Sequence, residues 1–344
     1  MSAPIILLTP NLTGRDGISA VARLVTRAFD SVCVLALHER PSLGTFEGAT
    51  VHGAGGHASR FAAAVFRAAA RGTDATVIVN HLHLAPAALA FASRGGTRVA
   101  MLHGIEAWTP LTWLQRAALT RSDRLIAVSA FSRDRFCDEN PEFGSRHIDV
   151  CHHGIGPASV PDAASDETPA ALIVGRMTAD ERYKGHDALI ELWPSVLAAV
   201  PTAVLRIVGD GDDRPRLEQK AAAMGLGARV AFAGGIDDEA LQREYQRATV
   251  FTMPSPREGF GLVFLEAMRA ARSCIGCRGA ASEIIDDGDT GWIVEPGDRN
   301  QLTERVIRAL RDRPESAAMG ARGRARYRQH FTEAHFRQRL TTLL

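Results

Sequence analysis

The feature of this sequence that most constrains its fold is a regular alternation of short apolar runs with longer helical stretches through all 344 residues. The apolar runs are continuous, which is typical of parallel strands buried on both faces, and the stretches between them are long enough for crossover helices. In the first half the runs predict strands at 5–8, 32–37, 76–80, 99–103, 125–129 and 147–151, and helices at 17–29, 60–70 and 111–120. In the second half they predict strands at 171–175, 204–208, 229–232, 250–253, 274–277 and 291–294, and helices at 184–199, 212–225, 237–247 and 262–271. The pattern therefore predicts an α/β protein with two successive doubly wound domains.

The length of the chain also fits two domains. A stretch rich in Pro, Ser and Asp separates the two halves and has little to bury, so we predict a linker at 158–169. The expected domains are then 1–157 and 170–325. The final segment, 326–344, is rich in Arg and carries spaced aromatic residues, and we predict that it forms a helix that packs back on the N-terminal domain.

Composition excludes several classes of protein. The chain has 40 Lys and Arg against 39 Asp and Glu, a balance that argues against a nucleic-acid binder. Apolar runs stay short of the roughly 20 residues of a membrane-spanning helix, and the opening run at 4–8 is too short for a signal peptide. The 5 cysteines are few and odd in number, which favours a reducing compartment. We therefore expect a cytoplasmic protein, with Cys274 and Cys277 at a buried strand rather than in a zinc site.

The residues that follow the predicted strands are the ones to examine, because open α/β sheets bind ligands beyond the carboxyl ends of their strands. After the strand at 171–174 come Gly175 and Arg176, and a loop leads to Lys184 at the start of a helix. Cations beside a helix N-terminus suit a phosphate group. Taken alone these cations could equally be ordinary surface residues.

The segment PSPREGFGLVFLEAM, which begins at residue 254, gives the strongest signal. It follows a strand and turns through glycines into a helix, where free backbone amides would form an anion site at Gly261, Leu262 and Val263. Its carboxylates, Glu258 and Glu266, are eight residues apart, or about 12 Å along a helix. This exceeds the roughly 5–9.5 Å between paired carboxylates of glycosidases. We therefore expect the two groups to bind different parts of one elongated ligand, with sugar and ribose hydroxyls as natural partners.

With this segment the chain resembles the retaining glycosyltransferases of family 4, which have the GT-B fold. The Glu258-x7-Glu266 spacing is the specific part of the resemblance. Gly175-Arg176 with Lys184-Gly185, Val208-Gly-Asp-Gly211 and Asp287-Gly-Asp-Thr-Gly291 occur in the same order as in that family. The resemblance is most specific over 170–300, and it implies two Rossmann-like domains that face a central cleft.

The resemblance also implies residue roles. Arg176 and Lys184 would hold the diphosphate of a nucleotide-sugar donor, Glu258 the transferred sugar, Glu266 the ribose, and His103 would lie beside the donor sugar. The other donor-binding positions that it implies are Gly17, Gly175, Asp210, Ile236, Phe260, Gly261, Leu262 and Val263. The chain departs from the family pattern where a single Gly17 replaces a common glycine pair, and where His153 replaces a common asparagine.

The activity implied is transfer of a hexose from a nucleoside-diphosphate sugar to a saccharide or lipid-linked saccharide in polysaccharide or glycolipid assembly. GDP-mannose is our first choice of donor and UDP-glucose the second. We expect no metal cofactor, because Arg176, Lys184 and the amides at the start of the 262–271 helix are suited to stabilise a departing diphosphate without one. A mixture of aromatic and basic residues around Trp108, Trp113, Arg116 and Arg121 could contact the inner face of the cell membrane, although the tryptophans could also belong to the core.

Three other functions stay open at this point. Sugar-nucleotide 2-epimerases share the two-domain architecture, and a catalytically silent relative could bind a nucleotide alone. A dinucleotide oxidoreductase has less support, because no Gly-x-Gly-x-x-Gly follows the first strand. The pair His81 and His83 has a spacing that suits a metal, but no third ligand is close in the sequence, so we expect a loop role.

Overall fold

The computed structural model describes residues 4–71, 74–91, 96–158 and 168–344. It divides into two compact units, of which the first is Met1–Gly154 with Glu333–Leu344 and the second is Ile155–Thr332. Most of the predicted linker, residues 159–167, lies outside the described residues.

The first unit contains a sheet of eight described strands in the order β3-β4-β2-β1-β5-β6-β7-β8. All neighbours pair in parallel except β3, which is antiparallel to β4. The strands are β1 (Ile5–Thr9), β2 (Val32–Ala36), β3 (Thr45–Phe46), β4 (Ala49–Gly53), β5 (Thr76–Val79), β6 (Arg98–Leu102), β7 (Arg124–Ala127) and β8 (Asp149–Val150). Along β1 the side chains of Ile5 and Leu7 enter one apolar cluster, and those of Ile6 and Leu8 enter another. The sheet is therefore buried on both faces, which explains why its strands are continuous apolar runs.

Helices cover both faces of this sheet. They are α1 (Gly17–Ala28), α2 (Ala58–Ala70), α3 (Trp113–Thr120), α4 (Ala130–Glu139) and the terminal α12 (Glu333–Leu343), with a long 3₁₀ segment at Leu82–Phe91. On one face α12 packs against α1, and its fully buried Phe336 and Leu340 join the cluster that contains Val21 and Leu24. The opposite face is covered by α2, the 3₁₀ segment and α3.

The second unit contains a parallel sheet of six described strands in the order β11-β10-β9-β12-β13-β14. The strands are β9 (Ala170–Val174), β10 (Val204–Val208), β11 (Val230–Gly234), β12 (Val250–Met253), β13 (Ser273–Cys277) and β14 (Gly291–Val294). The helices are α5 (His186–Ala199), α6 (Arg214–Ala223), α7 (Asp238–Arg247), α8 (Leu262–Arg269), α9 (Ala281–Ile284), α10 (Arg299–Arg311) and α11 (Arg313–His330). The predicted fold class, two doubly wound α/β domains, is thus confirmed.

The last predicted helix requires a correction. Residues 326–344 do not form one helix, because α11 ends at His330 and α12 begins at Glu333. Between them the carbonyl oxygen of Phe331 accepts a hydrogen bond from the backbone N–H of Ile155 (3.0 Å), and Ile155 also pairs with Thr332. This pairing takes the backbone out of helical geometry at the point where the chain passes from the second unit to the first. The unit limits accordingly differ from the domains predicted at 1–157 and 170–325.

None of the helices in the described ranges combines the length and the apolar character needed to cross a lipid bilayer.

Candidate functional site

Each sheet has one point at which the strand order reverses. The chain runs outward from β9 through β10 to β11, then returns to β12 beside β9 and runs to the other edge. In the first sheet the same reversal occurs between β1 and β5. Crossover helices leave such a pair of strands on opposite faces, so a crevice forms beyond their carboxyl ends, and ligands of open α/β sheets bind there.

Lys184 and Glu258 meet at the reversal point of the second sheet. Lys184 lies in the loop after β9 and Glu258 in the loop after β12, and the distance from Nζ to Oε1 is 3.0 Å. Only 15% and 17% of the two side chains are exposed, so the ion pair is poorly screened by water. The ring of Tyr183 packs beside it, with the Lys184 ammonium 5.7 Å and the Arg257 guanidinium 5.3 Å from the ring centroid. The structure therefore brings together two of the residues that the sequence singled out.

Arg176 lies in the same loop after β9. Its side chain is 64% exposed, and that of Asp210, another predicted site residue, is 66% exposed. The Arg176 guanidinium forms an ion pair with Glu181, whose side chain is largely buried. Sequence reasoning missed Glu181, because an acidic residue in a polar loop looks like ordinary surface. The pair fixes the position of the Arg176 guanidinium in the loop after β9.

The loop after β10 lies directly on the loop after β9. The N–H of Gly175 donates to the Val208 carbonyl oxygen (3.0 Å), and the N–H of Met177 donates to that of Asp210 (2.9 Å). Gly209 has φ +137°, and a Cβ there would overlap the carbonyl oxygen of Gly175. Glycine at 209 thus permits a backbone approach that no side chain would allow.

Two other predicted donor-binding residues stand farther from this ion pair along the sheet. The Asp210 side chain is mostly exposed, and its Oδ1 accepts from the Gly211 N–H (2.9 Å) and lies 3.8 Å from the Arg214 guanidinium. Ile236 is half-buried and follows β11, two strands away from β9.

The glycine-rich segment starts α8, as predicted. Gly261 has φ +98° and precedes the helix, which begins at Leu262 with Val263 in its first turn. Phe260 is buried, and its ring lies 6.2 Å from that of Phe331. The first N–H groups of an α-helix have no partner within the helix, so this turn can receive an anion.

Glu266 lies one turn farther along α8 and is fixed by a residue that the sequence did not indicate. The hydroxyl of Tyr245 donates to Oε2 of Glu266 at 2.8 Å. Burial raises the pKa of the Glu266 carboxyl, although this hydrogen bond and Arg269 oppose the shift. Tyr245 comes from α7, 21 residues upstream, so no local pattern could have revealed the contact.

At the reversal point of the first sheet, the loop after β1 is held by a buried carboxylate. Oε2 of Glu39 accepts from the N–H groups of Leu12 (3.2 Å) and Thr13 (3.0 Å). Gly17 is the first residue of α1, whose N-terminus is capped by Asp16, and a Cβ at Gly17 would meet no atom within 4 Å. The structure thus offers no steric reason for a glycine at this position.

His103 follows β6, next to β5 in the same sheet, and is buried with 7% of its surface exposed. Its Nε2 lies 3.1 Å from Oδ1 of Asn80, and its ring stacks at 5.7 Å on that of His153. Burial lowers the pKa of His103 to about 4, although the Glu106 carboxylate raises it. His103 is therefore neutral at physiological pH.

Two pairs of residues considered as metal ligands from the sequence are His81 with His83 and Cys274 with Cys277. Among the described residues there is no group of three or more His, Cys, Asp or Glu side chains that could hold a metal ion. The rings of His81 and His83 lie at the start of the 3₁₀ segment, tilted by 58° with centroids 4.8 Å apart, and burial lowers the pKa of His81 to about 4. Cys274 and Cys277 lie buried in β13, as predicted.

Two family profiles match the chain in consecutive segments. The one described as Glycosyltransferase Family 4 matches residues 23–158, and the one described as Glycosyl transferases group 1 matches residues 168–312. A GDP-mannose-dependent monoacylated α-(1-6)-phosphatidylinositol monomannoside mannosyltransferase of Corynebacterium glutamicum is 30% identical over 269 residues, which is 72% of this chain and 69% of the relative. The chain belongs to glycosyltransferase family 4.

Other relatives in the family support the same assignment. A GDP-mannose-dependent α-(1-6)-phosphatidylinositol monomannoside mannosyltransferase of Mycolicibacterium smegmatis is 32% identical over 68% of this chain. The match spans 66% of that relative, so this chain corresponds to about two thirds of the relative's length.

Solved structures agree on the fold. HepE from Anabaena, in complex with UDP and glucose, superposes with a TM-score of 0.80 at 19% identity and covers 99% of both chains. Sucrose-phosphate synthase from Thermosynechococcus elongatus gives a TM-score of 0.79 at 20% identity, covering 99% of this chain and 98% of the other.

Substitution of Gly209 tests the close approach of the two loops. We expect Gly209→Ala to lower the urea midpoint of unfolding more than Gly288→Ala, which also has positive φ (+78°) but no atom within 4 Å of a Cβ. Both variants bear the backbone penalty of about 1–2 kcal/mol, whereas only Gly209→Ala adds an overlap with backbone. Equal losses would contradict the contact.

Proposed function

We propose that this chain is a retaining hexosyltransferase that moves a sugar from a nucleoside-diphosphate donor to a saccharide or lipid-linked saccharide. The observation that carries the proposal is the Lys184–Glu258 pair at the β9/β12 reversal point, with Arg176 in the same loop. The mannosyltransferase relatives favour mannose, with GDP-mannose as donor. UDP-glucose is the second choice.

The main barrier to such a transfer is the negative charge that develops on the departing diphosphate. Arg176, Lys184 and the first amides of α8 are suited to stabilise it, because preorganised donors act strongly where charge appears in the transition state. Oε1 of Glu258 is engaged by Lys184, which leaves Oε2 to receive a hydroxyl of the transferred sugar. These protein groups neutralise the diphosphate without a divalent ion.

The same geometry suggests how the nucleoside is held. Tyr245 occupies Oε2 of Glu266, so Oε1 is available to accept a hydrogen bond from a ribose hydroxyl. Ile236 after β11 would pack on the base, and His103 is the residue we propose to contact the donor sugar.

We propose a front-face course for the reaction. The bond between the anomeric carbon and the diphosphate oxygen breaks, the acceptor oxygen bonds to the same face of that carbon, and the acceptor's proton passes to the departing phosphate. No protein nucleophile is needed. The anomeric configuration of the product, followed by NMR during transfer, tests this course: retention is expected, and inversion would contradict it.

Removal of Arg176 tests the charge stabilisation. We expect Arg176→Ala to lower kcat by about 10²–10³, the usual loss for one transition-state donor. The matched control is Arg182→Ala in the same loop, because Arg182 is paired with Asp213, and that carboxylate keeps Arg216 as a partner when Arg182 is removed. Near-normal turnover of Arg176→Ala, or an equal loss in the control, would refute the assigned role.

We propose a cytoplasmic location with peripheral contact at the inner face of the membrane. Trp108 is buried and stacks edge-on against Phe131, so it belongs to the core. Trp113 is 76% exposed, and with Arg116 and Arg121 it lines a shallow surface groove on α3. On α2, which packs against the same 3₁₀ segment as α3, Phe66 is 64% exposed. Apolar side chains among arginines suit an anionic bilayer surface.

Vesicle flotation tests this contact. We expect the protein to bind vesicles that contain anionic lipid, with binding that weakens as salt is raised. The double substitution Trp113→Asp with Leu114→Asp should reduce the bound fraction severalfold, whereas Met224→Asp, at an exposed apolar residue of the other unit, should not. No binding of the wild-type protein to anionic vesicles would refute the membrane contact.

A further inference from the structure

Asn80 occupies the reversal point of the first sheet. It follows β5 directly, beside β1, and is completely buried. No motif in the sequence marks it. Its side chain nevertheless connects three elements, because it contacts Thr9 at the end of β1, Ile18 in the first turn of α1 and His103 after β6.

The contacts on one side fix the orientation of the Asn80 amide. Nδ2 lies 3.0 Å from the carbonyl oxygen of Ile18, an atom that can only accept a hydrogen bond. It also lies 3.2 Å from Oγ1 of Thr9, whose own hydrogen is donated to the carbonyl oxygen of Asn11 at 2.9 Å. Both neighbours require a donor, so the NH₂ group must face them. The amide oxygen then faces His103.

This orientation determines which nitrogen of His103 carries the hydrogen. Oδ1 of Asn80 is only an acceptor, and it lies 3.1 Å from Nε2 of His103. Nε2 must therefore be protonated. Since a neutral imidazole has one N–H, Nδ1 is left with a free lone pair.

The surroundings keep the ring neutral. Burial lowers the pKa of His103 to about 4, and the charged or titratable groups that face it are Glu106, His81 and His153. Asn80 approaches the ring with its backbone carbonyl as well as with its side-chain amide. In the Nε2–H tautomer Nδ1 carries the lone pair, so it can accept a hydrogen bond from a ligand.

We propose that Asn80 is a positioning residue that holds His103 as the Nε2–H tautomer, so that Nδ1 accepts a hydrogen bond from a hydroxyl of the donor sugar. The tautomer follows from the contacts of Asn80 alone. The role of Nδ1 as the acceptor of a hydrogen bond from a sugar hydroxyl rests on the proposed function. Asn80 does not touch the substrate and acts only through His103.

NMR of the wild-type protein tests the tautomer directly. With all 12 histidines labelled with ¹⁵N, long-range proton–nitrogen correlations distinguish protonated from unprotonated ring nitrogens, and His103→Ala identifies the signals of His103. We expect a protonated Nε2 and an unprotonated Nδ1 from pH 6 to pH 8. A protonated Nδ1 in the neutral ring would overturn the proposal, whatever the enzyme transfers.

Asn80→Asp tests the link to turnover. A carboxylate facing Nε2–H favours the imidazolium, which raises the pKa of His103 and places a proton on Nδ1. Turnover by the variant should therefore fall about tenfold for each pH unit below that raised pKa and recover as the pH rises. The turnover of the wild-type protein should show no such decrease between pH 8 and pH 6. A profile parallel to that of the wild type would overturn the proposal.

Asn80→Ala is the matched variant without a charge. It should lower kcat about five- to tenfold, the effect of one hydrogen bond, with no new limb in the pH profile. Nucleoside diphosphate affinity should stay unchanged, because the residues proposed to hold the nucleotide are in the other unit. A weaker nucleotide affinity with unchanged kcat would overturn the positioning role. If no donor is turned over, the proposed function fails, while the tautomer measurement still decides the assignment of His103.

Discussion

The structure of the candidate site depends on the reversal of strand order between β9 and β12. The carboxyl ends of parallel strands lie at one edge of the sheet, and the loops after neighbouring strands normally lead to helices on the same face. At the reversal the helices depart on opposite faces, so the loops after β9 and β12 face each other and must provide polar partners for one another. The Lys184–Glu258 ion pair is that contact, made between residues 74 positions apart in the chain. Arg176 pairs with Glu181 in the same loop as Lys184. Glu266 is held by Tyr245 farther along α8.

The two units use different chemistry at equivalent points of their sheets. The second unit places cations and helix amides at its reversal point, which suits a diphosphate. The first unit places a buried carboxylate, Glu39, under the loop after β1 and a buried amide, Asn80, beside it. These groups are engaged by backbone atoms, so they shape the loop rather than offer charge. His103 adds a neutral acceptor at the same edge.

The alternation of apolar runs predicted the parallel strands well, because burial on both faces leaves a strong trace in the sequence. Local signals failed where the structure depends on distant contacts. The sequence patterns predicted no element at β3, β4, α4 or the 3₁₀ segment at 82–91, and the β3–β4 hairpin is short and half-polar while α4 lacks an apolar stripe. In the site, Arg176, Lys184, Glu258 and Glu266 follow strands and could be found. Tyr245, Glu181 and Asn80 could not, since each acts on a neighbour that the fold alone provides. Trp108 and Trp113 look alike in the sequence, yet one is core and the other is exposed.

Calorimetric titration with GDP in the presence of EDTA tests the central claim most directly, namely that protein cations at the β9/β12 reversal hold a nucleoside diphosphate. The account predicts saturable binding at one site without a metal ion, and at least about tenfold weaker binding by Lys184→Ala, since a charge-assisted contact to phosphate is lost. UDP and ADP in parallel titrations would identify the base. Absence of binding by all three, or binding only after a divalent ion is added, would contradict the account.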